Sequence, residues 1–369
     1  MLGTFFNVGW FRSHIIPLTK SGVDEVILVT DSMIESHSRV RFVCPPTWLV
    51  RIVGRAAAKG LYLIAVCIRR RPDLIMGYHI FPGAITALAI GRMFRCPVCY
   101  QMTGGPIEVI GGGCYNENSV MKNLTYPSNL LENLALSIVR KFDLVVIRGK
   151  LARSYLIDNT VTSQLAIIPG SVNVDNVPWR SYEERQYDLI FVGRLTEIKQ
   201  PLQFVEIVAK AAKSKTDIRA LLLGDGPLMA ELVDYAARCG ISGNITVMGK
   251  INFVEPYLAD SRIFVMPSRS EGLSIAMAEA MAAGTVPVVA NVGELGDLVL
   301  DGKNGWLIEP NDVAQYADRI VTLLENHDLW TTFSQAGRET VNNYNSVDAV
   351  TLRWKTELNK LTQQSSHVD

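Results

Sequence analysis

Short apolar runs rich in β-branched residues alternate with longer helix-like segments along most of this 369-residue chain, and the alternation starts twice. Strands that return through helices pair in parallel, and parallel sheets need helices on both faces. The order therefore restricts the chain to α/β layers. In the first series, residues 25–30, 74–78, 98–102 and 144–147 read as strands, and 48–70, 84–94 and 130–141 as helices. The second series has strands at 189–192, 219–223, 245–248, 263–266 and 286–289, with helices at 202–213, 228–239 and 275–283. Between them, Pro169-Gly170, Pro178 and Glu183-Glu184-Arg185 punctuate a polar stretch that reads as a linker. The expected division is a first doubly wound domain over 1–170, a linker over 171–186 and a second domain over 187–345. An amphipathic segment over 346–369 is expected to cap the second domain or to cross back to the first. Open α/β sheets bind ligands outside the carboxyl ends of their strands, so two such domains are expected to share a cleft.

Composition adds one asymmetry. The net charge is zero, but residues 1–100 carry twelve Lys/Arg against five Asp/Glu, and no acid occurs between Pro45 and Pro72. A basic region of this kind favours anionic partners, such as phospholipid headgroups or a phosphate-linked substrate; a solvated helix face gives the same count. Cys96 and Cys99 form a lone C-x2-C with no second pair, so ordinary buried strand cysteines are expected, and no metal. The N-terminus lacks a basic region followed by a long apolar run, and the apolar stretches 60–68 and 81–91 are too short to span a bilayer. The expectation is a cytoplasmic chain, soluble or held at the inner face of a membrane, with no nucleic-acid partner.

The chemistry concentrates in residues 266–284. A strand ends in Pro267-Ser268, a Glu271-Gly272 loop follows, and an Ala-rich helix starts near Ser274. Backbone amides of Gly272, Leu273, Ser274 and Ile275 at a helix start form a natural seat for a phosphate. Glu271 before the helix and Glu279 in its second turn stand on the order of 10–12 Å apart. A diphosphate between them would leave one acid for a sugar and the other for a ribose, since carboxylates accept hydrogen bonds from paired hydroxyls. Two isolated acids would read as dipole balance and a surface group; the flanking Pro-Ser and Ala-Met-Ala-x-Gly favour the ligand site. In Gly193-Arg194-Leu195-Thr196-Glu197-Ile198-Lys199-Gln200, two cations flank a strand-to-helix loop, where they oppose the helix dipole unless an anion lies between them. Gly224-Asp225-Gly226-Pro227 is a further strand-end turn, and Gly249-Lys250-Ile251 a strand end suited to reading a base. On the acceptor side the candidates are Gly9, His14, His79, Thr103, Gly104 and Gly105, whereas His37, His327 and His367 read as surface residues.

Together these segments resemble family 4 of the retaining glycosyltransferases. The matching pieces are Gly193–Gln200, Gly224–Pro227, the P-S-x-x-E-G…E-A-M-A-x-G block over 267–284, Pro287-Val288-Val289-Ala290 and the Asn304-Gly305…Asp312 segment. The resemblance implies the GT-B architecture, two doubly wound Rossmann-like domains facing a central cleft, and transfer of a sugar from a nucleoside diphosphate sugar with retention and without a metal. It implies UDP or GDP in the donor, no further cofactor, and a glycan or lipid-linked acceptor. By it, Arg194 and Lys199 hold the diphosphate, Glu279 the ribose and Glu271 the donor sugar, with Gly193, Gly226, Lys250 and Ile251 completing the donor site. The chain departs from the pattern at Gln200 and Glu294, where glycine is usual, in the stretch before Gly9, and at 101–106, where a His is usual. The sequence assigns no general base; a front-face departure, with the leaving phosphate taking the acceptor proton, would need none. The alternatives are a non-catalytic nucleotide-sugar sensor and an epimerase or phosphorylase on the same fold.

Overall fold

A computed structural model describes residues 1–5, 8–114 and 126–365. The chain divides into two compact units, Met1–Ser171 with Val350–Asp369, and Val172–Ala349.

The first unit runs α1 (Val8–Lys20), β1 (Val26–Val29), β2 (Val40–Val43), α2 (Thr47–Val53), α3 (Arg55–Arg70), β3 (Ile75–Tyr78), α4 (Ile85–Phe94), β4 (Val98–Gln101), α5 (Asn129–Val139), β5 (Leu144–Ile147), α6 (Lys150–Asp158) and β6 (Gln164–Ile167). Every strand pair is parallel. Leu2 bridges Val29 on one side and Gly77 on the other. Its amide donates to Met76 O at 2.8 Å, and its carbonyl accepts from Tyr78 N at 3.0 Å. The sheet order is thus β2-β1-Leu2-β3-β4-β5-β6, which reverses direction between Leu2 and β3. Strand residues alternate between two buried faces: Ile75, Val98, Tyr100 and Val145 pack with α3, α4 and α5, while Met76, Tyr78, Cys99 and Leu144 pack with α1.

The sequence predicts one helix over 48–70; two are present. Gly54 breaks them with φ 82° and ψ 159°, a conformation open to glycine, and its amide closes α2 on Val50 O. The sequence reading also lacks β2 and β6. β2 is short and incompletely buried, and β6 lies at the sheet edge, so neither presents a long apolar run.

The second unit contains β7 (Tyr187–Val192), α7 (Pro201–Ala211), β8 (Ala220–Leu223), α8 (Met229–Arg238), β9 (Ile245–Gly249), α9 (Glu255–Ala259), β10 (Ser261–Met266), α10 (Ile275–Ala282), β11 (Val286–Ala290), β12 (Trp306–Ile308), α11 (Val313–Glu325) and α12 (His327–Asn345). Its parallel sheet has the order β12-β11-β10-β7-β8-β9. Leu189, Leu222, Ile263 and Val288 face α7 and α11; Ile190, Leu221, Phe264 and Val289 face α10. The last helix, α13 (Val347–Ser365), returns to the first unit, where Val350, Trp354 and Leu361 pack against Phe11, Ile15 and Leu18.

The stretch read as a linker is packed into the second unit. Val174, Val177 and Tyr182 are buried, and Arg185 is only 1 % exposed. The Arg185 guanidinium donates to the carbonyls of Arg180, Leu258, Ser261 and Ala283. Burial, with repulsion from Arg262 and Arg180, lowers its pKa to about 9, and its plane lies 4.8 Å from the Trp330 ring. The cation is thus held by backbone dipoles. Arg185→Leu removes the donor from the buried Ser261 and Ala283 carbonyls and is expected to lower the second unit's stability by about 3 kcal/mol or more, read from urea unfolding.

Candidate active site

In the second unit the strand order reverses between β7 and β10, and a doubly wound sheet opens a ligand crevice where its order reverses. The two loops singled out in the sequence leave these strands: 193–200 from β7 and 267–274 from β10. Arg269 N donates to Ile198 O at 2.8 Å, tying one loop to the other. Lys199 Nζ lies 2.6 and 2.7 Å from the two oxygens of Glu271, whose side chain is 6 % exposed. The sequence gives these residues separate duties and does not show that they pair. Arg194 stands exposed on the same loop.

Close backbone packing explains the glycines around the crevice. A Cβ on Gly224 would fall 1.9 Å from Gly193 O, and one on Gly226 would fall 2.5 Å from Leu195 O. The Gly224–Gly226 turn therefore braces the loop that carries Arg194, which accounts for Gly226 without a ligand. Gly293, with φ 57°, brings its Cα against the Glu271 carbonyl, where a Cβ would fall at 1.8 Å. The neighbouring position, Glu294, is buried.

α10 starts as the sequence predicts. Ser274 is its N-cap, accepting from Met277 N at 3.3 Å, and residues 272–276 remain partly exposed. Two hydroxyls at the loop bases, Ser268 Oγ and Thr196 Oγ1, are buried with no hydrogen-bond partner among the described residues. Burial, with a smaller push from the charge of Glu255, raises the Glu279 carboxyl to about 8. Glu255 opens α9, in the stretch that follows the strand end read as base-facing. Lys250 is exposed beyond β9, while Ile251 packs on the α10 face of the sheet.

In the first unit, His79 follows β3 beside the reversal of the strand order. Its φ of 55° and ψ of 139° are costly for a side chain with a Cβ, and such strain persists where surrounding structure enforces it. Backbone hydrogen bonds hold it, His79 N to Gln101 O at 3.4 Å and Ala84 N to His79 O at 2.9 Å, and its ring faces Glu108, which is fully buried and absent from the sequence reading. Its Oε1 accepts from Gly104 N at 2.6 Å and from Thr103 Oγ1 at 3.3 Å, and it lies 3.3 Å from His79 Nδ1. Its Oε2 accepts from Tyr100 OH at 2.7 Å. Burial alone would raise the Glu108 pKa, but the charge and hydrogen bond of His79, helped by Gly104 and Tyr100, hold it below its ordinary value. For His79 burial works downward, and Glu108 outweighs it, so the imidazole pKa is raised. With Nδ1 turned to the carboxylate, Nε2 is the free corner of an oriented ring.

The other acceptor candidates fare differently. The Thr103 hydroxyl and Gly104 amide, expected to face a ligand, are committed to Glu108, and Gly105 is buried with φ 72°. His14 is buried beneath Trp10, and burial together with Arg148 keeps it neutral, so it packs the core. Gly9 lies exposed in the first turn of α1. Gln101 anchors the buried Arg148 at 3.2 Å. His367 lies outside the described residues. Cys96 and Cys99 are buried on or beside β4, and burial pushes their thiols up to about 11 and about 12. Among the described residues, no group of three or more His, Cys, Asp or Glu is arranged to hold a metal ion, and no helix is long and apolar enough to cross a membrane.

Residues 186–326, in the second unit, match the family described as Glycosyl transferases group 1. An uncharacterized glycosyltransferase of Methanocaldococcus jannaschii is 29 % identical over 270 residues, covering 72 % of this chain and 70 % of that protein. UDP-Gal:alpha-D-GlcNAc-diphosphoundecaprenol alpha-1,3-galactosyltransferase of Escherichia coli is 30 % identical over 162 residues, 43 % of this chain and 42 % of that enzyme. The solved structure of Anabaena HepE in complex with UDP superposes with a TM-score of 0.76, at 16 % identity, over 97 % of this chain and 99 % of that one. The chain has the GT-B fold, with two Rossmann-like units. Residues 186–326 are thus similar to group 1 glycosyltransferases, and the Methanocaldococcus jannaschii relative extends the similarity to 72 % of the chain.

Proposed function

We propose that the chain is a retaining, metal-independent hexosyltransferase whose second unit holds a nucleoside diphosphate sugar and whose first unit holds the acceptor. The observation that carries this reading is the Lys199–Glu271 pair at the strand-order reversal, beside the Ser274-capped start of α10. Without ligand the two charges neutralise each other. With donor bound, the diphosphate takes over Lys199 and leaves Glu271 to accept from sugar hydroxyls. As the bond from the anomeric carbon to the phosphate oxygen breaks, its electron pair leaves with the diphosphate. Arg194, Lys199 and the amides at the helix start offset that charge, the task a metal performs elsewhere. The acceptor oxygen bonds to the anomeric carbon as its proton passes to His79 Nε2. Glu279 accepts from the ribose diol, Lys250 and Ile251 flank the base, and His79 Nε2 receives and orients the acceptor hydroxyl.

UDP is the favoured nucleotide, supported by the UDP complex of HepE, with GDP next. A lipid-linked glycan acceptor is supported by the lipid diphosphate in the name of the Escherichia coli relative. Thermal shift with UDP, GDP, ADP and their common sugars identifies the nucleotide by mass action. With that donor, Arg194→Ala and Glu271→Ala are each expected to slow release of the free nucleotide about 100-fold or more. Rates equal to wild type would remove the basis of the reading, and binding with no turnover over long incubation would favour a sensor.

A further inference from the structure

The loop over 193–200 has a second side. Arg194 and Lys199 belong to the crevice, but Glu197 and Gln200 line a cavity of about 250 Å³. Its wall also includes Gln203 and Glu206 from α7, Arg269 from the loop after β10 and Asn311 from the turn before α11. All of these residues lie in the second unit, and none of their side chains has a part in the donor site.

Two of them hold a backbone conformation that favours glycine. Gln200 takes φ 54° and ψ 49°, left-handed backbone that is costly for a residue with a Cβ, and this is the position where the sequence departs from the usual glycine. Its Nε2 donates to Glu197 O at 2.7 Å. Asn311, with φ 68°, is the other non-glycine residue of the second unit with a positive φ among the described residues.

Gln203 points more directly to a ligand. A glutamine at the third position of a helix ordinarily reaches back to the N-cap amide. Here that amide, Gln200 N, is taken by Thr196 O at 3.2 Å. Gln203 is 7 % exposed and lines the cavity, and its Oε1 has no hydrogen-bond partner among the described residues. A buried carbonyl in that state costs stability unless a donor reaches it. α7 also starts without a side-chain cap, so its first amides are donors with no acceptor inside the helix.

The wall sets the chemistry of what fits. Glu197 and Glu206 accept hydrogen bonds and repel an anion; Glu206 takes the Tyr235 hydroxyl on one oxygen at 2.9 Å, which leaves the other. Arg269 and the start of α7 donate and repel a cation. An uncharged molecule whose groups both donate and accept suits the two sets together, and hydroxyls do both. Leu228 and Val313 add an apolar wall for the C–H face of a ring. The volume falls below the roughly 300–1,000 Å³ of pockets for larger organic ligands, so it suits one sugar ring and not a nucleotide.

We propose that this cavity binds a single uncharged sugar ring, with Gln203 and Glu206 accepting from its hydroxyls and Arg269 donating to them. The inference does not depend on the transferase reading, because it needs no nucleotide and uses none of the crevice side chains.

The test is saturation-transfer NMR on the full chain without nucleotide, with glucose, galactose, mannose and N-acetylglucosamine each at millimolar concentration. At least one of them is expected to bind. Gln203→Leu keeps the bulk of the side chain and removes the buried acceptor, so it is expected to weaken that sugar about 10-fold or more. The same variant should melt at or above wild type, since it removes an unpartnered carboxamide. Gln200→Gly, which relaxes the left-handed backbone, is also expected to weaken the sugar without lowering the melting temperature. Both variants should keep the wild-type nucleotide-induced thermal shift. Failure of all four sugars to bind would overturn the proposal, as would a Gln203→Leu protein that binds the sugar as wild type does. Displacement of the sugar by millimolar inorganic phosphate would make the cavity an anion seat and overturn it as well.

Discussion

Glu279→Gln is expected to melt higher than wild type above a pH of about 8, and there to bind its nucleotide 10- to 100-fold more weakly. The two effects share one cause. In the folded protein, burial and the Glu255 charge raise the Glu279 carboxyl to about 8, whereas an unfolded glutamate titrates near its ordinary value of about 4.3. Below the lower value both states hold the proton and the group is neutral to stability. Between the two the unfolded chain releases the proton while the folded chain keeps it, so stability falls as pH rises; above the upper value the loss is complete. Glutamine escapes that loss, which is on the order of a few kcal/mol. A ribose diol, however, donates to the ionised carboxylate, and charge-assisted bonds of this kind are the strong ones. Wild-type affinity should therefore rise with pH toward about 8 and then level, with a proton released on binding. The variant should show neither the pH dependence nor the proton release. Calorimetry in buffers of different ionisation enthalpy measures both; a wild-type affinity flat across this range would separate Glu279 from the ribose.

The donor-side loops were legible in the sequence because their signals are local. A strand end, a turn and a helix cap lie within ten residues of one another at 266–275, and periodicity with Ser274 at the cap marks each. The glycines of 224–226 and 293 were visible as motifs, but their reason, a backbone pressed against Gly193, Leu195 and Glu271, is tertiary. The Lys199–Glu271 pair joins residues 72 apart, and nothing in either segment announces it. Two readings failed for local reasons. Gly54 was passed over inside an apolar helical pattern, and the polar surface of 171–186 concealed Val174, Val177 and Arg185, which face inward. Glu108 was missed because it sits in a short helical turn within a glycine-rich stretch, where neither period applies. One signal was available: between Tyr100 and Cys114 it is the only charged residue. A lone acid in apolar surroundings must find partners, and its partners here include the histidine at the end of the neighbouring strand.

Glu108→Gln should therefore have the largest effect of any substitution in the first unit that preserves side-chain volume. The carboxylate has two roles: it holds the Nδ1 proton, leaving the Nε2 lone pair outward, and its charge raises the His79 pKa. Glutamine is free to present its amide nitrogen to Nδ1, which reverses the tautomer and points a proton where a lone pair is needed. The expected result is a fall in acceptor transfer of about 100-fold or more, with the nucleotide-induced thermal shift unchanged. The pH profile distinguishes this from a general loss of structure. An acceptor hydroxyl can donate only to neutral imidazole, so wild-type kcat/KM for the acceptor should drop as pH falls through the raised His79 pKa. The groups that set this pKa are Glu108, which raises it, and Arg148, which lowers it. Removing the Glu108 charge lowers the pKa, so the residual activity of the variant should hold to a lower pH than that of wild type. A Glu108→Asp variant, which restores the charge at a shorter reach, should move the acidic limb back toward wild type. An acidic limb that stays fixed across all three proteins would show that another group controls the acceptor proton, and would leave Glu108 as a brace for the strained turn at His79.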